Sequence, residues 1–223
     1  MKPIIYTSIL ALFCAATTAQ ANLIGNPGFE TPTLLGFSTV LSNFVADQGI
    51  WGAEAATITL ATGGVIPPEG THMLSETGNP STYQTAQVTD VSSYAGLISA
   101  GGATVNLSAL FNTPSGVSSA GAGVIVTFLS GTDFNADQIS TISHSLTLDG
   151  DFTTWQQNSV SGAIPVNTTW IVSQVTYNAA SLGSNPGFVD AADLTVVPEP
   201  TSAALLLGSG AMLLLRRRRA SAQ

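Results

Sequence analysis

Short stretches of β-branched and aromatic residues recur through residues 22–196, separated by clusters of Gly, Pro, Asn and Ser. No run of helical periodicity there exceeds two turns, whereas segments 104–110 and 171–177 alternate apolar and polar residues as half-buried strands do. The pattern predicts strands at residues 55–60, 71–74, 83–88, 104–110, 124–129, 143–148, 153–159, 169–177 and 188–196. We therefore expect an all-β fold, an antiparallel jelly-roll β-sandwich formed by a single domain over residues 22–196.

The charged residues are distributed unevenly along the chain. The five basic residues are Lys2 and the four arginines at 216–219, so residues 22–196 contain no Lys or Arg. Twelve of the thirteen acidic residues lie in that same segment. Such a surface repels phosphate backbones and anionic lipid, which excludes nucleic acid as a partner and favours cations or neutral ligands such as sugars.

Residues 1–21 have the layout of a secretory signal peptide. Lys2 precedes a short apolar stretch, and the sequence Ala-Gln-Ala at 19–21 ends it. This layout predicts export through the inner membrane and cleavage before Asn22. The only cysteine, Cys14, lies inside the apolar stretch, so disulfides, Cys-ligated zinc and Cys nucleophiles are excluded from the remainder of the chain.

The C-terminal segment 197–223 has three parts. Two prolines flank a glutamate at 198–200, an uncharged apolar run follows over 201–215, and four arginines come next. A helix over the apolar run is about 22 Å long, shorter than the roughly 30 Å hydrocarbon core of a bilayer, so it spans a membrane only if the bilayer thins. The arginines favour the cytoplasmic side.

This three-part arrangement resembles the PEP-CTERM sorting tail. The resemblance implies a transmembrane helix and recognition by a membrane exosortase, which cleaves near the Pro-Glu-Pro motif. It also implies a Gram-negative bacterium that produces extracellular polysaccharide, and a mature protein at the cell surface or in a biofilm matrix. The sorting motif then consists of Pro198, Glu199, Pro200, Arg216, Arg217, Arg218 and Arg219.

Both ends of the strand-rich segment resemble galactose-binding-like sandwich domains, which include carbohydrate-binding modules. The resemblance rests on the opening segment 22–32, which contains Asn-Pro-Gly-Phe-Glu, and on the closing segment 187–196. It implies a structural calcium ion shared by Glu30 and Asp190. With no Lys or Arg in the domain, only a cation can bridge two carboxylates brought together from opposite chain ends.

Three tryptophans are available for stacking on sugar rings. Trp51 lies between Gly49 and Gly52 in a predicted loop, so we expect it to be the ligand-binding aromatic residue. Trp155 and Trp170 lie in predicted strands, and we expect both to belong to the core.

Catalytic motifs are scarce. Neither histidine is flanked by a nucleophile motif, and no sequence spacing places two glutamates across a sugar as glycoside hydrolysis requires. We therefore expect no enzyme, but an exported protein that binds carbohydrate. The alternatives are a structural matrix protein without a small ligand and, less favoured, a glycoside hydrolase, whose candidate carboxylates are Glu30, Glu54, Glu69 and Glu76.

Overall fold

The computed structural model describes residues 20–36, 49–77, 82–117, 119–132 and 137–198. The predicted signal peptide up to residue 19 and the predicted tail beyond Pro198 lie outside these residues, so their boundaries stay predictions. No helix within the described ranges is both long enough and apolar enough to cross a membrane.

Strands account for most of the regular structure in the described residues, and two short helices interrupt them. In chain order the elements are β1 (Leu35–Gly36), β2 (Gly52–Ala53), β3 (Ala56–Thr59), β4 (Met73–Glu76), β5 (Thr82–Asp90), α1 (Ala95–Ser99), β6 (Ala103–Asn112), β7 (Gly121–Ser130), β8 (Asp137–Thr147), β9 (Gln156–Ala163), β10 (Trp170–Asn178), α2 (Ala179–Leu182) and β11 (Gly187–Pro198). Each predicted strand is present with shifted ends. The sequence did not predict β1, β2, α1 and α2, because elements of two to five residues leave no periodic pattern.

The strands form two sheets. One has the order β1-β2-β5-β10-β7-β8 and the other has the order β3-β4-β11-β6-β9. Every pairing between described strands is antiparallel except that of β1 with β2, which is parallel. The predicted antiparallel β-sandwich is therefore confirmed, apart from this one short pair.

The core lies between the inner faces of the two sheets. Alternate residues of the central strands point inward, which is the consequence of the two-residue side-chain period of a strand. The inward apolar residues include Val105, Leu107, Phe111, Val124, Val126, Phe128, Ile171, Val175, Leu194 and Val196. Tyr177 also lies in this layer, and its hydroxyl is 2.9 Å from the carbonyl of Asn112 and 2.7 Å from that of Phe188, so it ties β10 to the opposite sheet.

The N-terminal segment packs against β11 where that strand is irregular. The pairing of β11 with β6 shifts register between Asp190 and Asp193. There the Ala192 N–H donates to the Pro27 carbonyl at 2.9 Å, and the Leu23 N–H donates to the Leu194 carbonyl at 2.8 Å. These bonds bring the two ends of the domain together.

Candidate functional site

The carboxylate of Glu30 is held by the loop that precedes β4. Its Oε1 accepts hydrogen bonds from the backbone N–H groups of Thr71 at 2.9 Å and His72 at 3.0 Å. Its Oε2 accepts one from the Thr71 hydroxyl at 3.1 Å and lies 3.3 Å from His72 Nδ1. The backbone N–H of His72, followed by that of Thr71, lowers the pKa of Glu30 to about 2, so this carboxylate stays ionised.

Asp190 has surroundings opposite to those of Glu30. Its side chain is fully buried, Oδ1 accepts the Ala191 N–H at 2.7 Å, and Oδ2 has no hydrogen-bond partner. Burial raises the pKa of Asp190 to about 7; the Ala191 N–H opposes the rise, and repulsion from Glu69 and Glu30 adds to it. The charges of Glu30 and Glu69 thus act on Asp190, and we call these three carboxyl groups the acid cluster.

The backbone next to this cluster is strained. Phe29, directly before Glu30, has φ of 54°, and Ala191, directly after Asp190, has φ of 47°. A left-handed conformation is costly for residues with a Cβ, above all for a bulky one, and persists only where tertiary contacts enforce it. Tertiary contacts therefore hold a strained backbone directly beside Glu30 and directly beside Asp190.

The acid cluster fits a cation in part. Repulsion from Glu30 acts on Asp190, and the unpartnered Oδ2 of Asp190 is an atom that a cation would satisfy; an ion shared by the two carboxyl groups stays a prediction. No group of three or more His, Cys, Asp or Glu side chains is placed to hold a metal within the part of the chain described. An ion at this position would therefore need main-chain carbonyls or hydroxyls as further ligands.

Sequence reasoning missed Glu69 as a member of the cluster. A Cβ built on Gly28 would lie 2.7 Å from Glu69 Oε1, so the Glu69 carboxyl packs directly against the N-terminal loop. Only the folding of this loop onto the 61–72 loop reveals that contact. The four glutamates available from the sequence thus separate into Glu30 and Glu69 in the acid cluster, and Glu54 and Glu76 elsewhere.

A cleft of about 230 Å³ opens beside the N-terminal loop. It is lined by Asn26, Thr31, Thr33, Gly49, Ile50 and Trp51. The Asn26 amide donates to the Thr31 carbonyl at 2.9 Å and accepts the Thr31 N–H at 3.0 Å, which fixes the shape of the loop. The cleft therefore combines apolar surface from Ile50 and Trp51 with neutral polar groups. Among the described residues that line the cleft there is no carboxyl group, so these residues do not supply the paired carboxylates of a glycoside hydrolase.

Trp51, which we expected to be the ligand-binding aromatic residue, does not present an exposed face for stacking. Only 1% of Trp51 is exposed, its indole N–H donates to the Asn26 carbonyl at 3.1 Å, and its ring lies 5.2 Å from that of Phe29. The N-terminal loop folds over the ring, and the neighbouring glycines give no sign of this. Trp51 is thus part of the wall of the cleft rather than a stacking platform.

Trp155 and Trp170, which the sequence assigned to the core, are only half-buried. The Trp155 indole N–H donates to the Ile66 carbonyl at 2.8 Å, and the ring packs on a small cluster outside the main core. Trp170 packs on a second small cluster, formed by Ala86, Val88, Leu129 and Val172. The predicted order of burial among the three tryptophans is therefore reversed.

No family model matches the chain, its C-terminal segment 197–223 included, and no curated protein sequence matches it. Solved structures do resemble it. A Stig cyclase from Fischerella sp. TAU has a TM-score of 0.54 at 12% identity, covering 80% of this chain and 98% of the cyclase. A putative sugar-binding protein from Bacteroides thetaiotaomicron has a TM-score of 0.50 at 11% identity, covering 78% and 99%.

The enzymatically active domain of tailspike protein 4 from bacteriophage CBA120 has a TM-score of 0.51 at 7% identity. The match covers 79% of this chain but only 21% of the tailspike chain. At such identities these likenesses show the fold alone, a β-sandwich.

The same likenesses contradict the expectation that this chain is not an enzyme. That expectation rested on the scarcity of catalytic motifs in the sequence. The Fischerella cyclase has this fold at nearly the same length, since 98% of it is covered. A β-sandwich of this size does therefore support catalysis, and fold and length give no reason to exclude it.

Proposed function

We propose that this protein binds a neutral saccharide, as part of an extracellular polysaccharide, in the cleft formed by Thr31, Thr33, Gly49, Ile50 and Trp51. The observation that carries the proposal is the chemistry of this cleft: apolar surface beside neutral hydroxyls. Sugar rings present an apolar face and a rim of hydroxyl groups, which match these two kinds of wall. The absence of Lys and Arg from residues 22–196 favours a neutral ligand over an anionic one.

The size of the cleft limits what it holds. Pockets for drug-sized ligands measure about 300–1,000 Å³, so a cleft of about 230 Å³ takes one sugar unit. Because it is open on one side, that unit can be the end of a longer chain. The fold shared with a putative sugar-binding protein from Bacteroides thetaiotaomicron supports the proposal without identifying the sugar.

The test is binding of the full chain to a glycan array, followed by calorimetry with the best ligand. Thr33→Trp places a large ring in the cleft at an exposed position, and Thr57→Trp adds the same ring at an exposed position of β3 away from the cleft. We expect Thr33→Trp to weaken binding at least tenfold and Thr57→Trp to leave it unchanged.

Two results would contradict this proposal in different ways. Equal binding by wild type and Thr33→Trp would mean that the cleft is not the site. No binding of the wild type to any glycan would reject carbohydrate recognition and favour a structural matrix protein.

Export and sorting complete the proposal. The arrangement of residues 1–21 and 197–223 supports removal of a signal peptide and processing of the tail by an exosortase, which leaves the protein at the cell surface or in the matrix. The mass of the protein recovered from the medium tests this directly. It should begin at Asn22 and end near Pro198.

Calcium is proposed as structural support at the acid cluster. Glu30 and Asp190 would hold the ion, and the buried Oδ2 of Asp190 is the observation that favours it. The positive charge would offset the mutual repulsion of the carboxyl groups and fasten the N-terminal loop to β11.

A further inference from the structure

The side chain of Glu76 points into the interior of the sandwich. Leu74, two residues earlier on β4, belongs to the main core, and alternation places Glu76 on the same face. Glu76 pairs with Ala56 on one side and with Gly187 on the other. Only 1% of the residue is exposed, and neither of its carboxylate oxygens has a hydrogen-bond partner.

Thr85 approaches the same place from the opposite sheet. It pairs with Val175, a core residue of β10, so its side chain also points inward. Thr85 is fully buried, and its hydroxyl oxygen has no hydrogen-bond partner. The hydroxyl lies close enough to Glu76 to oppose part of the pKa rise described below, without meeting hydrogen-bond geometry.

Glu54 lies on the crossover that joins the two sheets at this edge. The preceding residue, Ala53, pairs with Thr85 in one sheet, and Ala56 pairs with Glu76 in the other. The Glu54 N–H donates to the Gln84 carbonyl at 3.2 Å, which fixes the crossover. Glu54 is half-buried, and its charge acts on Glu76.

Nothing in the domain supplies a basic counter-charge to these groups. Residues 22–196 contain no Lys or Arg, and the two histidines contact Glu30 and Asn158 instead. Burial raises the pKa of Glu76 to about 8, and repulsion from Glu54 adds to the rise. A buried carboxylate without a partner costs several kcal/mol, so it must carry either a proton or a bound cation.

We propose that Glu76 and Glu54, together with the hydroxyl of Thr85, bind a divalent cation between the two sheets, at the edge where the crossover from β2 to β3 joins them. The donors are all oxygens, which is the ligand set of a hard cation such as Ca²⁺. The ion satisfies the two carboxylate oxygens of Glu76 and the hydroxyl oxygen of Thr85, which have no hydrogen-bond partner, and it links strands of both sheets. The site is separate from the acid cluster.

The test is the number of Ca²⁺ ions bound by the full chain, measured by calorimetry and equilibrium dialysis. Asp190→Asn removes the acid cluster as a site, so that Glu76 is examined alone. We expect Asp190→Asn to bind one Ca²⁺ and the double variant with Glu76→Gln to lose that binding by at least 100-fold. Glutamine has the shape of a neutral glutamic acid, so the fold should tolerate it without the metal.

A second pair of variants covers the case in which the double variant does not fold. In the wild-type chain, Glu54→Gln should weaken one class of Ca²⁺ site by about tenfold or more, whereas Asp149→Asn, at an exposed turn, should change nothing. The proposal is overturned if Asp190→Asn binds no Ca²⁺. It is also overturned if Glu76→Gln binds as much Ca²⁺ as Asp190→Asn, in which it is made, and Glu54→Gln binds as much as the wild type, each with unchanged affinity.

Discussion

Glu30 and Glu76 are glutamates of the same domain, yet their carboxylates have opposite surroundings. Glu30 lies near the surface and accepts the N–H groups of Thr71 and His72, which lower its pKa to about 2. Glu76 lies inside the sandwich without any hydrogen-bond partner, and its pKa rises to about 8. In a domain that lacks Lys and Arg, backbone N–H and hydroxyl groups are the main donors that keep a carboxyl ionised, and a buried carboxyl that meets none becomes neutral or binds a cation.

The largest expected effect is a pH dependence of stability in EDTA. Folded Glu76 keeps its proton between its ordinary pKa of 4.5 and about 8, whereas the unfolded chain releases it. The free energy of unfolding should therefore fall as pH rises through this window, by an amount on the order of a few kcal/mol, and Asp190 acts in the same direction. Urea unfolding at a series of pH values measures the slope.

Glu76→Gln should flatten this slope, and Glu30→Gln should not. Glu30 contributes in the opposite direction, since its stabilisation is complete above its ordinary pKa and is lost as pH falls towards about 2. Equal slopes between pH 5 and 8 in wild type and Glu76→Gln would show that Glu76 is not the buried acid responsible.

The next largest effect concerns Ca²⁺ at the acid cluster. An ion present at one hundred times its dissociation constant raises the free energy of unfolding by about 2.7 kcal/mol if the unfolded chain does not bind it. In Asp190→Asn, Ca²⁺ should no longer raise the free energy of unfolding through the acid cluster. In Asp149→Asn, Ca²⁺ should raise it as much as in the wild type. Thermal unfolding of the full chain with and without Ca²⁺ gives the comparison, and an unshifted midpoint in the wild type would reject both cation sites.

The smallest expected effect is a difference in unfolding free energy between two glycine substitutions, one of them in the loop that holds Glu30. Gly70 has φ of +58°, and a Cβ there would collide with the Glu30 carboxylate, whereas Gly101 has φ of +66° with open space around it. Gly101→Ala should cost about 1 kcal/mol for backbone strain alone. Gly70→Ala should cost more, because it also displaces the Glu30 carboxylate from its donors. Equal costs in urea unfolding would mean that these donors contribute little.

The strands could be predicted because their signal is local. Alternation over 104–110 and 171–177 identified β6 and β10, since one face of each strand packs on the core. A calcium ion shared by Glu30 and Asp190 was inferred from a family resemblance and stays a prediction, since the structure shows only that repulsion from Glu30 acts on Asp190. Trp51 was misjudged because its burial depends on a loop that folds back over it, and no neighbour in sequence reports that contact.

The sequence by itself determined the strand-rich character of the domain and its lack of basic side chains, because side-chain alternation and composition are properties of the chain alone. The tertiary structure decided which carboxyl groups meet donors and which do not. Thr85 and Glu54 act on Glu76 only because the crossover at residues 53–56 joins the two sheets, and Glu30 acts on Asp190 only because both chain ends pack at the irregularity in β11. The protonation states of Glu76 and Asp190 therefore depend on residues that are far apart in the sequence and that strand pairing brings near each other.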